Sequence, residues 1–65
     1  MKGKEVLRRL KAAGCVELRQ KGGHVRVRCG DCETTVSMHS QEIPKGTMRA
    51  IIKQVRDCIG EEWVK

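Results

Sequence analysis

The feature that most constrains the fold is an alternation of apolar and polar side chains in the run from His24 to Cys29. Three apolar residues alternate there with one histidine and two arginines. Successive side chains of a β-strand point to opposite faces. The run therefore predicts a strand with one apolar face and one face of imidazole and guanidinium groups. The apolar face has to be covered, and the two flanking segments with helical periodicity are the candidates for that cover.

The residues that follow pair with this strand in a self-consistent register. Gly30-Asp31 predicts a two-residue hairpin turn, which sets a third strand over residues 33–38 against the second. A slip of one residue would place the valines opposite polar groups, so the apolar pattern specifies the register. The predicted opposed pairs are Cys29 with Cys32, Arg28 with Glu33, Val27 with Thr34, Val25 with Val36, and His24 with Ser37.

Helical periodicity flanks the strands on both sides. Apolar residues recur at helical spacing in residues 3–13, and again in the stretch that follows Thr47, a candidate N-cap. After the first helix, Val16 and Leu18 form the apolar half of a first strand. The order is α-β-β-β-α. We predict one α+β domain over residues 1–65, a three-stranded antiparallel sheet with both helices on one face.

Charge and size limit the classes of partner. The 65 residues include 14 Lys and Arg against 8 Asp and Glu, a net charge of +6. This balance favours nucleic acid, an anionic membrane or an acidic protein, although solubility alone is the simpler explanation. The single Trp, with no Phe or Tyr, argues against modules that stack bases on aromatic side chains. No apolar run approaches the roughly 20 residues that span a bilayer. We find no signal-peptide pattern and expect a cytoplasmic location.

The four cysteines admit several interpretations. Without an export signal we expect reduced thiols. Cys29-Gly-Asp-Cys32 is a CxxC pattern, but it spans a hairpin turn, whereas a thioredoxin-like site needs the start of a helix. Structural zinc normally takes four ligands, and strand parity places Cys15 on the face opposite Cys29, while Cys58 ends the second helix. We predict thiols that flank the turn, with a cross-strand disulfide or a zinc or redox centre as the alternatives.

His24 is the candidate for chemistry. An unperturbed imidazole has a pKa near 6.5 and can take or give a proton at neutral pH. RNA carries its own nucleophile, the 2′-hydroxyl, so cleavage needs a base for that proton and cations for the phosphate charge, and requires no metal. His24 follows a Gly-rich turn, near Lys21, Arg26 and Ser37; the simpler alternative is a solvated surface histidine. For His39, farther along the same face, the alternatives are a second acid or base, a phosphate contact and an ordinary loop residue.

Two motifs follow one another along the chain, Arg19-Gln20-Lys21-Gly22-Gly23-His24 and, about twenty residues later, Ile43-Pro44-Lys45-Gly46-Thr47-Met48. They resemble the HicA toxins of bacterial toxin–antitoxin pairs, within a likeness that covers roughly residues 3–57. The resemblance implies a double-stranded-RNA-binding-like αβββα fold. It also implies metal-independent cleavage of mRNA that depends on one histidine, which maps onto His24, and neutralisation by a HicB antitoxin. Val25 and Val27 stand where many relatives carry a second histidine or an aromatic residue.

We therefore predict a cytoplasmic mRNA endoribonuclease toxin that uses no cofactor or metal and inhibits translation. It would be monomeric alone and form a hetero-oligomer with a HicB-like antitoxin. The alternative function is a non-catalytic RNA-binding module of the same fold, or a toxin that has lost its activity. The predicted catalytic residue is His24, and the predicted RNA contacts are Lys21, Gly22, Gly23, Arg26, Arg28, Ser37, His39 and Lys45.

Overall fold

The computed structural model describes residues 1–39 and 41–65; Ser40, in the predicted connection before Pro44, lies outside the described residues. The elements follow the predicted αβββα order, and a short 3₁₀ turn follows at the C-terminal end. The elements are α1 Gly3–Ala12, β1 Val16–Lys21, β2 His24–Cys29, β3 Cys32–Ser37 and α2 Lys45–Ile59, followed by the 3₁₀ turn Glu62–Val64.

The sheet is antiparallel, in the order β1-β2-β3. All the opposed pairs predicted between β2 and β3 are present, with the turn at Gly30-Asp31 between the strands. Opposed residues share a face, so the alternation in β2 and β3 produces one covered face and one open face. The open face carries His24, Arg26 and Arg28 of β2 together with Glu33, Thr35 and Ser37 of β3.

Both helices pack on the covered face of the sheet. Val6 and Leu10 of α1, and Ile51 and Val55 of α2, are at most 2% exposed. They form one hydrophobic cluster with the valines of β2 and β3. The spacing of four residues within each helix places each pair on one side, so the helical periodicity predicted the buried stripe correctly. Trp63 is also buried in this cluster.

The side chains of β1 point in directions that the sequence did not predict. Cys15, just before the strand, is 5% exposed, whereas Val16 and Leu18 are 54% and 45% exposed. The register between β1 and β2 shifts at Leu18, which has no opposed partner. Such a β-bulge adds one residue to one strand and reverses the face of every residue beyond it. The prediction that Cys15 lies on the face opposite Cys29 is therefore wrong.

All four cysteines form disulfides, so the prediction of reduced thiols is wrong for this structure. Cys15 bonds Cys29 and ties β1 to β2, whereas Cys32 bonds Cys58 and ties β3 to the last turn of α2. Cys29 and Cys32 flank the hairpin turn as predicted, but each is bonded to a different element. In the part of the chain described, no cysteine remains free to bind zinc. The bulge brings Cys15 onto the face of Cys29, and the packing of α2 on the sheet brings Cys58 to Cys32.

The start of α2 also differs from the prediction. The helix begins at Lys45 with Pro44 at the N-cap, so Thr47 lies inside the first turn and does not cap it. The fixed φ of proline suits the entry to a helix, and the Pro44 carbonyl accepts the first hydrogen bond, from Met48 N–H at 2.9 Å. Within residues 1–39 and 41–65, neither helix has the length and apolar character that crossing a membrane requires.

Candidate RNA-cleavage site

The candidate site lies at one end of the open face, beside the turn between β1 and β2. Lys21, His24 and Ser37 form one row across the three strands, with His24 in the middle. Lys21 and His24 are exposed, and Ser37 is half-buried. Directly opposed residues have their Cβ atoms about 5 Å apart. A cation, an imidazole and a hydroxyl are therefore close enough to act on one phosphate group.

The Gly22-Gly23 turn brings a second imidazole to this row. Met38 N–H donates to the Gly23 carbonyl at 2.6 Å, which continues the pairing beyond β3 and carries His39 back over the turn. A Cβ atom on Gly23 would lie 2.7 Å from His39 Cε1, so the ring occupies space that only glycine leaves open. The centroids of the His24 and His39 rings are 5.9 Å apart, with the rings nearly perpendicular.

A cleft of about 380 Å³ opens beside these two rings. Three segments form its walls: the strand ends on the open face, the connection before α2, and the first turn of α2. Thr35 and Thr47 line the cleft beside Ser37 and were not among the predicted site residues. The lining residues are His24, Thr35, Ser37, His39, Gln41, Glu42, Ile43, Pro44 and Thr47.

The N-terminal residues brace the wall of the cleft that faces the sheet. Ile43 N–H donates to the Met1 carbonyl at 3.1 Å, and Lys2 forms a β-bridge with Glu42. The N-terminal ammonium group contacts the Glu42 carboxylate. This hydrogen bond, and the positive charge of the same group, hold the pKa of Glu42 below its ordinary value. Glu42 is therefore a carboxylate at neutral pH, and its charge in the cleft is offset by the ammonium group.

The predicted arginine contacts lie on the same face, but they are already paired. Arg26 Nε lies 3.0 Å from a carboxylate oxygen of Glu33, and its Nη1 donates to the Thr35 hydroxyl at 2.9 Å. Arg28 Nη2 lies 3.6 Å from the other oxygen of Glu33. Exposed pairs of this kind contribute about 1 kcal/mol or less. The arginines can release Glu33 to meet a phosphate, but part of their charge is offset within the protein.

The structure brings some predicted residues together and separates others. His24, Ser37 and His39 line one cleft, and the His39 ring packs against Gly23. Lys45 is exposed in the first turn of α2 and is not part of the cleft wall. The sequence contained one signal for the missed Thr47, because it lies in the second motif; Thr35 had none beyond its place on the open face.

A second hollow adjoins the cleft on the other side of His39. It measures about 390 Å³ and is lined by Lys2, Lys4, Met38 and His39. A wider groove of about 550 Å³ runs along α1 between charged side chains and Leu7, and it contains no histidine. Proton transfer at neutral pH needs a group such as imidazole. The cleft is lined by both His24 and His39, whereas the second hollow has one imidazole and the groove along α1 has none, so the cleft is the candidate for such chemistry.

Comparison with known proteins adds one match. Residues 3–56 match a protein family described as HicA toxin of bacterial toxin–antitoxin. No curated protein and no solved structure matches the chain. The matched span contains both segments that form the cleft, the turn before His24 and the connection that leads into α2.

Proposed function

This chain belongs to the HicA toxin family, and on that premise we propose that it is a metal-independent mRNA endoribonuclease that inhibits translation. The observation that carries the proposal is the exposed His24 in a cleft beside a second imidazole, with Lys21 opposite it on the sheet. Family membership implies a toxin and a cognate antitoxin. The substrate, the chemistry and the residue roles are inferences from the site.

The chemistry that suits this cleft is attack by the ribose 2′-hydroxyl on the adjacent phosphate. His24 is placed to exchange a proton with the reacting oxygens, a role that typically contributes 10²–10⁴-fold to a rate. Lys21 lies opposite His24 and would stabilise the negative charge on the phosphate as the bond to the leaving oxygen breaks. The Ser37 hydroxyl, opposite His24 on the other side, would orient the imidazole or hold the strand.

The remaining contacts would bind the RNA backbone without reading its sequence. Gly22 and Gly23 present backbone close to the site, and Lys45 stands at the exposed start of α2. Arg26 and Arg28 extend the positive face away from the cleft. Contacts of this kind go to phosphates, so they position the strand but do not select bases. The affinity they give falls as salt concentration rises.

The antitoxin would be HicB-like and would act by covering the cleft. The net charge of +6 favours an acidic partner surface, which would approach the open face by electrostatic attraction. Binding there would block the access of RNA to His24. We propose that toxin and antitoxin meet in the cytoplasm, where the mRNA substrate is.

The test is cleavage of a long RNA by the purified chain in the presence of EDTA. We expect the wild-type protein to cleave and His24→Ala to lose at least about 100-fold in rate, with an unchanged circular dichroism spectrum. Lys53→Ala is a matched control, because Lys53 is an exposed cation on α2 outside the cleft; it should cleave like the wild type. Cleavage that stops in EDTA, or that survives in His24→Ala, would contradict the proposal.

The alternative is a non-catalytic RNA-binding module. It predicts that the wild-type protein binds RNA without cutting it and that His24→Ala changes nothing beyond affinity. Electrophoresis of the same RNA after incubation separates the two functions, because binding shifts the band and cleavage shortens it. A growth assay adds the biological readout: expression of the wild type, but not of His24→Ala, should arrest growth.

A further inference from the structure

The His39 ring packs closely against the turn before His24 and lies beside the His24 ring. Its ring packs against the backbone of Gly23, the residue immediately before His24, at a distance that a side chain on residue 23 would forbid. The two rings stand edge to face with centroids 5.9 Å apart, and both line the same cleft. The hydrogen bond from Met38 to Gly23 fixes the chain immediately before His39.

A phosphate seated in the cleft beside the two rings lies within reach of both. Hydrogen-bond reach from an imidazole nitrogen to an oxygen is about 3 Å. Two rings 5.9 Å apart can therefore both reach oxygens of one phosphate group. The attacking and the leaving oxygen of a phosphate are different atoms, so two imidazoles that reach the same phosphate can serve the two proton transfers.

We propose that His39 is the second proton-transfer group of the reaction and works with His24 as an acid–base pair, a role that rests on the proposed ribonuclease function. One imidazole takes the proton of the 2′-hydroxyl while the 2′-oxygen forms a bond to phosphorus. The phosphorus–5′-oxygen bond breaks, and the other imidazole, as imidazolium, gives its proton to the leaving 5′-oxygen. The products are a 2′,3′-cyclic phosphate and a 5′-hydroxyl, with no water, metal or other reactant consumed.

Charged groups face this pair from each neighbouring element. Lys21 lies opposite His24 on β1, and Arg26 is the next residue of β2 on the same face. Glu42 lines the cleft from the connection before α2, with the N-terminal ammonium group against it. Lys2 and Lys4 line the hollow on the other side of His39. Because an α-amino group titrates near neutral pH as imidazole does, the assignment of a limb to a histidine rests on the comparison of each histidine variant with the wild type, not on the wild-type profile alone.

The first test is the pH dependence of single-turnover cleavage of one defined oligoribonucleotide. A base and an acid acting together give a bell-shaped profile. We expect the wild type to show both limbs and His39→Gln to lose one limb, with a rate loss on the order of 100-fold at the optimum. A phosphate contact alone would raise KM and leave both limbs in place, which would overturn the proposal.

The second test replaces the leaving 5′-oxygen of the same oligonucleotide with sulfur. A thiolate leaves without being protonated, so the substrate removes the need for the acid but not for the base. We expect this substrate to restore most of the lost rate in one of the two variants, His24→Ala or His39→Gln, and not in the other. Restoration in neither or in both would overturn the acid–base pair.

The experiments distinguish a failure of the proposed ribonuclease function from a failure of the role proposed for His39. If the wild type does not cleave RNA, the proposed function is wrong and the role of His39 falls with it. If the wild type cleaves, His24→Ala is inactive and His39→Gln keeps a two-limbed profile, only the acid–base pair is wrong. A thermal melt of His39→Gln checks folding, and we expect little change because His39 is exposed.

Discussion

Both ends of the open face carry cationic and hydroxyl side chains, but the two ends differ in whether those cations form ion pairs. The histidine end consists of Lys21, His24, Ser37 and His39; the arginine end consists of Arg26, Arg28, Glu33 and Thr35. At the arginine end, the carboxylate of Glu33 pairs with both guanidinium groups. At the histidine end, no ion pair holds Lys21 or either imidazole within residues 1–39 and 41–65.

Covalent bracing separates the two ends as well. Both disulfides reach the sheet beside the Gly30-Asp31 turn, next to the arginine end, through Cys29 and Cys32. The histidine end is held by backbone hydrogen bonds and by the packing of His39 on Gly23. One end of the face is therefore built for stability, and the other keeps its polar groups available.

The largest effect should come from removing the disulfide that joins β3 to α2. The double variant Cys32→Ser with Cys58→Ser opens a link across 26 residues, which on the chain-entropy account lowers the free energy of unfolding by about 3 kcal/mol. Denaturant unfolding in non-reducing buffer measures the loss. Cleavage should persist wherever the variant is folded, because the bond lies at the arginine end.

The wild type in reducing buffer is the matched comparison for that variant. It should also lose stability, since reduction opens both bonds. Equal stability of the oxidised wild type and the double variant would show that this bond does not brace the fold. Mass spectrometry after thiol alkylation counts the bonds directly.

The next effect is at the histidine end, with Gly23→Ala. The new Cβ would lie 2.7 Å from His39 Cε1, so the exposed ring must leave the position that it holds beside His24. A misplacement of about 1 Å can cost on the order of 100-fold in rate, while stability should change little. Gly46→Ala is the matched control, because a Cβ there meets nothing within 4 Å. Full cleavage by Gly23→Ala would contradict a catalytic role for the position of His39.

RNA binding should distinguish the cations of the two ends. These variants are compared in a His24→Ala background, which prevents cleavage. The negative slope of log K for RNA binding against log salt should become shallower by about 0.7 in Lys21→Ala, the value for one phosphate contact to a single strand. Arg28→Ala should change the slope less, because Glu33 already offsets part of the charge of Arg28. An equal or larger effect of Arg28→Ala would show that RNA uses both ends alike.

Glu33→Gln should produce a smaller change in the opposite direction. Removing this carboxylate frees Arg26 and Arg28 from exposed ion pairs, and RNA affinity should rise by up to about 1 kcal/mol. Fluorescence anisotropy with a labelled oligonucleotide measures the gain. Asp57→Asn is the control, because it removes one exposed negative charge from α2 away from this face; it should change affinity less.

The smallest effect concerns acid and the wall of the cleft. Glu42 has a pKa below its ordinary value of 4.5, so it contributes stability that is complete above about pH 4.5 and is lost as the pH falls through the lower, folded-state pKa. Glu42→Gln should therefore melt with a shallower dependence on pH in that acid range. Melting temperatures measured from neutral to acid pH test this. Identical curves for both proteins would show that the ammonium contact does not form in solution.

Much of the fold follows from local patterns. The apolar alternation in β2 specified the register with β3, since any slip would bury polar groups, and the helical stripes specified which side of α1 and α2 is buried. The predictions for β1 failed at Leu18, because a bulge leaves no periodic trace. The predicted face of Cys15 failed with it, whereas the expectation of reduced thiols rested on the absence of an export signal and failed because folding brings both cysteine pairs together.

The candidate site was predicted in part. The pairing of His24 with Ser37 follows from the register of β2 and β3, whereas the sequence placed Lys21 only near His24 and not opposite it on β1. The contact between Gly23 and His39, and the cleft that Thr47 helps to line, depend on how the loop after β3 returns across the turn. Local pattern does not specify that path.

The sequence by itself determined the order of the elements, the face of β2 that is buried and the histidine that faces outward, because these depend on the spacing of neighbouring residues. Tertiary structure alone decided which cysteines meet and that a second imidazole stands beside the first. Those features join residues distant in the chain, and their distances are fixed only when the sheet, its bulge and the helices pack together.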